Sequence, residues 1–227
     1  MGPTVFAGMM AHPQFAAARF PTLRVCYSGS APLSEQTLRR WEAATGCPIL
    51  EGYGQTEGGQ VLSFNPQDGL RKPGSVGVAV PRTRIEIVDT ATGTTVLPAG
   101  ETGEIRARGP QIMAGYRNLP GDTASALRDG WLYTGDIGQL DGDGYLFIRD
   151  RKKDMAIVGG YNVYPREIDE VLSAHPDVLE AAAIGVADAY RGEIVRAFVV
   201  ARPGRHPTRE ALLAHCAASP RQIQGSS

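Results

Sequence analysis

The stretch from Leu23 to Gly59 decides the fold, and two turns within it carry the decision: Ser28-Gly29-Ser30-Ala31-Pro32 and Gly52-Tyr53-Gly54-Gln55-Thr56-Glu57-Gly58-Gly59. Ahead of the first turn, the apolar run Leu23 to Tyr27 reads as a buried strand. Ser34 then predicts a helix N-cap, and Glu35 in the first turn suits the positive end of the helix dipole. Leu38, Trp41 and Thr45 give that helix one face before Gly46 stops it. Pro48 through Tyr53 reads as a second strand. A strand, a helix and a strand in that order predict a parallel, right-handed unit, and ligands of such sheets bind just beyond the carboxyl ends of the strands. Both glycine turns fall there. Small residues let a bulky ligand approach the backbone. Thr56 adds a hydroxyl donor, Glu57 a hard carboxylate suited to Mg²⁺ on a phosphate, and Tyr53 a face on which a purine could stack. Glycine-rich turns are common and most only turn the chain, so spacing alone leaves both readings open.

Outward from this unit, Thr4 to Ala18 carries Phe6, Met9, Met10 and Phe15 in a helical stripe that breaks near Pro13 and reads as core packing. Downstream, Arg84 to Asp89, Gly103 to Arg108, Trp131 to Thr134 and Gly144 to Ile148 alternate as strands of a mostly antiparallel sheet, taken as a small barrel. The turn Asp141-Gly142-Asp143-Gly144 lacks the later ligands of a calcium loop and reads as a hairpin turn. The charged run Asp150-Arg151-Lys152-Lys153-Asp154 by itself reads as a solvated linker. A turn-rich loop follows, Gly159-Gly160-Tyr161-Asn162-Val163-Tyr164-Pro165. Pro165 then opens a helix with Ile168, Val171 and Leu172 on one face. Val178 to Gly185 and Val195 to Val200 read as strands, and Thr208 caps a last helix through His215. The fold class is α/β with α+β. Residues 1–149 hold the strand-helix-strand unit and the antiparallel barrel, 150–154 form a hinge, and 155–227 form a small α+β module.

The composition fits this reading. With 42% hydrophobic and 21% charged residues the chain can bury a core, which excludes wholesale disorder. A net charge of -1 supplies no electrostatic footprint for nucleic acid or an anionic membrane. Three cysteines, Cys26, Cys47 and Cys216, have no metal-ligand spacing and leave an odd thiol, which argues for a reducing cytosol and a cytoplasmic location. No apolar run approaches the roughly 20 residues of a membrane helix, and no signal segment follows Met1. The histidines His12, His175, His206 and His215 are dispersed. Neither Ser28 nor Ser30 lies in a Gly-x-Ser-x-Gly elbow, which argues against an esterase.

Five segments, taken together and in order, resemble the AMP-forming acyl-CoA synthetase family. They are Tyr27 to Leu33, Gly52 to Glu57, Gly103-Glu104-Ile105 with Gly115-Tyr116, Tyr133-Thr134-Gly135-Asp136, and Asp150 to Asp154 continuing through Gly159 to Ile168. The resemblance runs from Pro3 to about Cys216. It implies that Gly29, Ser30 and Ala31 contact adenine, that Tyr53 stacks on it with Gly54 and Gln55 beside it, that Thr56 binds phosphate and that Glu57 holds Mg²⁺. It further implies that Asp136 takes the ribose hydroxyls, that Arg151 reaches the ribose, and that Ile148 lines the nucleotide site. Lys153 falls at the hinge about which the family's C-terminal domain swings, and Gly159 and Gly160 belong to the loop lining the pantetheine tunnel. The implied reaction joins a carboxylic, fatty-type acid to ATP as acyl-AMP and then transfers it to CoA. The implied catalytic residues are Thr56, Glu57 and Lys153. Gly52, Gly54, Val76 and Gly77 are expected to line the acyl pocket, their small side chains leaving room for a long or bulky chain.

Two departures from the family pattern shape the expectation. The family's phosphate loop and the first part of its large domain would lie upstream of Met1. Its adenylation lysine would lie beyond the helix that Thr208 caps, so the chain reads as a remnant of the large domain followed by a truncated lid. The chain alone is therefore expected to be impaired, with a separately encoded N-terminal half as a candidate partner. The tail invites a specific reading: one set of codons for Arg221-Gln222-Ile223-Gln224-Gly225-Ser226, shifted by a base, spells Ala-Arg-Tyr-Lys-Val-Pro, the segment the family has there. That reading makes Arg221 to Ser227 an out-of-frame tail; a genuine, divergent C-terminus of polar, low-complexity composition is the alternative. A non-catalytic nucleotide-binding remnant and an adenylation domain serving a carrier protein are the alternatives.

Overall fold

The computed structural model describes residues 1–219. Arg221 to Ser227, the proposed out-of-frame tail, lie outside the described residues. Helix α1 (Pro3–Ala11) begins on a proline, whose missing N–H costs nothing in a first turn. A single 3₁₀ turn follows at Phe15–Ala17. Strand β1 (Cys26–Ser28) leads into α2 (Glu35–Thr45), where the Ser34 hydroxyl oxygen accepts from the Thr37 N–H at 3.2 Å. Gly46 ends that helix at φ 68°, the left-handed conformation that favours glycine. Strand β2 (Ile49–Tyr53) pairs in parallel with β1 from Cys26↔Ile49 to Ser28↔Glu51, completing the predicted strand-helix-strand unit. Its core holds Phe6, Leu38, Trp41 and Ile49, with the Phe6 ring edge-on to Trp41 at 5.0 Å.

Strands β3 (Ser63–Phe64) and β4 (Val78–Ala79) extend β2 antiparallel. Neither was expected, because two residues show no alternation. Then come β5 (Arg84–Val88), β6 (Gly103–Arg108), α3 (Pro120–Ala126), β7 (Leu127–Arg128), β8 (Trp131–Leu140) and β9 (Leu146–Arg151). Their sheet has the order β5-β6-β8-β7, with β9 on β8. It is a curled half-barrel. Trp131 to Thr134 was only the start of β8, since the glycine at 135 hides the alternation. At the Asp-Gly-Asp-Gly turn, Asp141 Oδ1 accepts the N–H groups of Asp143 and Tyr145 at 2.9 Å. The Lys72 ammonium lies 2.5 Å from Asp141 and 2.6 Å from Asp143, so a side-chain cation answers both carboxylates.

The remaining elements are β10 (Ala156–Val158), β11 (Tyr161–Val163), α4 (Pro165–Ser173), β12 (Val178–Asp188), β13 (Gly192–Ala201) and α5 (Arg209–Ala218). The four strands form one sheet in the order β11-β10-β13-β12. The segment from Gly159 was expected to be a loop. It is instead the tip and second strand of a hairpin, with Gly159 at φ 58° and Gly160 at φ 90°, the pair of positive φ values that a two-residue hairpin turn requires. Val171 and Leu172 of α4 are buried, as are Val178 and Ala183 of β12. The Thr208 hydroxyl oxygen accepts from the Ala211 N–H at 3.2 Å, and α5 runs past His215 to Ala218. The chain divides into two units, Met1–Thr134 with Gly138–Ile148, and Gly135–Ile137 with Arg149–Ser227. Among the described residues no helix is long and apolar enough to cross a membrane.

Candidate functional site

In the first unit, the turns after β1 and β2 lie beyond the carboxyl ends of neighbouring parallel strands, as the strand-helix-strand reading requires. Gly29, Ser30 and Ala31 follow β1. Ser30 sits at φ 70°, a left-handed conformation uncommon for a residue with a side chain, and it is exposed together with Ala31. A methyl group on Gly29 would come 3.3 Å from the Gly52 carbonyl oxygen, which measures how closely the two turns approach. After β2, Thr56–Gly58 form a 3₁₀ turn, with the Gly58 N–H donating to the Gln55 carbonyl at 3.0 Å. Thr56 is exposed, and Gln55 and Glu57 are half-buried. Tyr53 and Ile148 both pack against the cluster formed by Leu62, Ile85, Ile87, Ile105 and Leu146.

Three glycines in and near this turn are also hemmed in by the chain itself. A methyl group on Gly52 would lie 2.2 Å from the Phe64 ring. On Gly54 it would lie 2.2 Å from the Gln60 carbonyl oxygen, and on Gly77 1.9 Å from the Phe64 carbonyl carbon. The protein itself fills the space that their small size frees. Val76 packs against the same apolar cluster as Tyr53. Gly52, Gly54 and Gly77 are thus each closed in by the protein's own atoms in the direction a side chain would take.

Glu57 has a partner to which the sequence reading gave no role. The Tyr116 hydroxyl donates to Glu57 Oε1 at 2.8 Å, and the Met113 N–H donates to the Glu57 carbonyl at 2.8 Å. The hydrogen bond to Glu57, then burial, push the Tyr116 phenol above its ordinary value. Gly115-Tyr116 was visible as a motif, but a contact across 59 positions leaves no local periodicity to read.

In the second unit, Asp136 and Arg151 face each other, with Arg151 Nε 3.8 Å from Asp136 Oδ1. The Lys152 N–H donates to the Gly135 carbonyl at 2.8 Å and fixes the register of that pair. The charged run is not uniformly solvated. Asp150 is buried and accepts the N–H groups of Arg151 at 2.7 Å and Arg166 at 3.1 Å. It thereby takes up an N–H of the first turn of α4, where the N-cap position, Tyr164, makes no side-chain cap. Lys153 is exposed at the rim of a cavity of about 370 Å³ that Asp150, Arg166, Asp169 and Glu193 also line. Burial raises the Asp169 carboxyl, against the hydrogen bond it accepts from the Ala183 N–H. Gly159 and Gly160 are exposed at the hairpin tip. The structure thus brings Gly29 to Ala31 next to Tyr53 to Glu57 in one unit and pairs Asp136 with Arg151 in the other. Ile148 and Tyr53 are tied to the first unit's core.

Comparison with known proteins sets this geometry in a family. Residues 2–117 match the AMP-binding enzyme model and residues 167–224 match the AMP-binding enzyme C-terminal domain. A long-chain-fatty-acid–CoA ligase of Bacillus subtilis is 44% identical over 92% of this chain, which spans 37% of that protein's length. The fatty acid–[acyl-carrier-protein] ligase ScoC of Streptomyces coeruleorubidus is 41% identical over 91% of this chain, which spans 40% of it. The crystal structure of ATP-bound MatB from Rhodopseudomonas palustris superposes with a TM-score of 0.90 at 39% identity, covering 98% of this chain and 44% of that one. The chain belongs to the AMP-binding enzyme family.

Proposed function

With that family as the premise, we infer that this chain carries nucleotide and thioester elements of an acid–thiol ligase. The ligase activates a carboxylic, fatty-type acid with ATP to acyl-AMP and passes it to CoA. The observation that carries the reading is the approach of the Gly29–Ala31 and Tyr53–Glu57 turns at the carboxyl ends of parallel strands. Gly29, Ser30 and Ala31 meet adenine, Tyr53 flanks it, and the exposed Thr56 hydroxyl donates to a phosphate oxygen. Two acceptor oxygens on Asp136 match the ribose diol, and Arg151 orients that carboxylate beside it. The donor set fits Mg²⁺, which is held by one or two carboxylates together with substrate phosphates and water, and Glu57 is that carboxylate. When bound, the ion neutralises phosphate charge. Residues 1–149 form the C-terminal portion of the AMP-binding domain, 150–154 with Lys153 the hinge, and 155–227 the lid, with Gly159 and Gly160 toward pantetheine. The three free thiols suit a reducing, cytoplasmic setting. A carrier-protein thiol as acceptor is the second reading, favoured by the likeness to ScoC.

Calorimetry of the chain with AMP and ATP tests the reading. We expect binding of both, and a loss of about tenfold or more in Asp136→Ala, a group hydrogen-bonded to charged or polar ligand atoms being worth roughly 1.5 kcal/mol or more. Absence of binding by the unmodified chain overturns it.

A further inference from the structure

We propose that Tyr116 is a positioning residue whose phenol holds the Glu57 carboxylate in the orientation in which it takes a phosphate-bound Mg²⁺. This rests on the assignment of Glu57 above. A half-buried glutamate on a turn has three side-chain torsions to restrict before it can serve a cation. Here the segment from Met113 to Tyr116 restricts it at both ends. The Met113 N–H holds the Glu57 carbonyl and the Tyr116 hydroxyl holds Oε1, each at 2.8 Å. The grip is itself anchored, because the Tyr116 N–H donates to Thr123 Oγ1 at 2.9 Å and that hydroxyl donates to the Leu119 carbonyl at 2.9 Å. A phenol on Oε1 leaves Oε2 and a further lone pair for a cation. Carboxylates that bind metals are as a rule oriented by such hydrogen bonds, and losing one typically costs 10–100-fold in metal affinity.

The test is calorimetry of ATP binding to the 227-residue chain across a Mg²⁺ titration, in the unmodified protein, Tyr116→Phe, Glu57→Gln and the double variant. Tyr116→Phe should raise the Mg²⁺ concentration for half-maximal ATP binding by about tenfold or more, and leave metal-free AMP binding unchanged. The double variant should be no worse than Glu57→Gln, because residues acting through one another are not additive. If Glu57→Gln shifts the Mg²⁺ dependence and Tyr116→Phe does not, the positioning role is overturned and Glu57 keeps its assignment. Equal weakening of metal-free AMP binding by Tyr116→Phe would mark a general structural role and also overturn it. If Glu57→Gln leaves the Mg²⁺ dependence unmoved, or ATP does not bind at all, the assignment of Glu57 fails and this inference fails with it.

Discussion

A methyl group built on Gly54, in the turn after β2, would lie 2.2 Å from the Gln60 carbonyl oxygen; one built on Gly159, at the tip of the β10–β11 hairpin, would meet nothing within 4 Å. Gly159 has φ 58°, whereas Gly54 is not among the residues of positive φ. Both glycines sit in turns that the family resemblance assigns to ligand contact. One is required by backbone packed against backbone, the other by the handedness of a two-residue turn. A glycine kept by crowding resists every substitution. A glycine kept by its dihedral angles tolerates the residues that visit the left-handed region.

Three measurements test this contrast. The largest effect is expected from Gly54→Ala, about 3 kcal/mol in chemical denaturation, since the obstacle is main chain that no rotamer change relieves. A cost near that of an exposed substitution would remove the contrast. Gly159→Ala should cost about 1 kcal/mol, the strain of a left-handed alanine. Gly159→Asn should recover part of that, whereas Asn at position 54 should recover nothing. The smallest effect separates the two units by acid. Burial works to raise the Glu42 carboxyl, but hydrogen bonds from Arg71 and the Ile49 N–H and the Arg71 charge hold it below its ordinary 4.5. Its contribution is therefore present above about pH 4.5 and lost as pH falls through the lowered folded value. Asp169 is the reverse case, raised by burial above its ordinary 3.8. The fold penalises its charged form at neutral pH, and that penalty disappears as pH falls from the raised value toward 3.8. Melting temperatures between pH 7 and about pH 3.5 should fall less steeply in Glu42→Gln and more steeply in Asp169→Asn than in the unmodified protein.

Local signals were legible and long-range ones were not. Ser34 as cap, Gly46 as stop and Pro165 as helix opener act within a few residues, so the strand-helix-strand unit and α4 could be read from the sequence. Strand β3 exists because β2 offers it an edge and β4 because β3 offers the next, and nothing in two residues announces that. Asp150 reads as one charge in a solvated run, but it becomes a buried acceptor only because the chain returns to place Arg166 over it. In the candidate site, the motif order located the two turns. The partner of Glu57 lay in a contact between distant segments, and the crowding of Gly52, Gly54 and Gly77 in how the chain folds back on itself nearby.

By itself the sequence determined which residue types could hold a nucleotide, the α/β and α+β class, and the family, because caps, periodicities and motif order are written in neighbouring positions. Only the tertiary structure decided that Gly52 and Gly54 yield their space to Phe64 and Gln60, and that a tyrosine holds Glu57. Excluded volume and hydrogen bonding act between whatever the fold brings together, and that is not encoded in the distance along the chain.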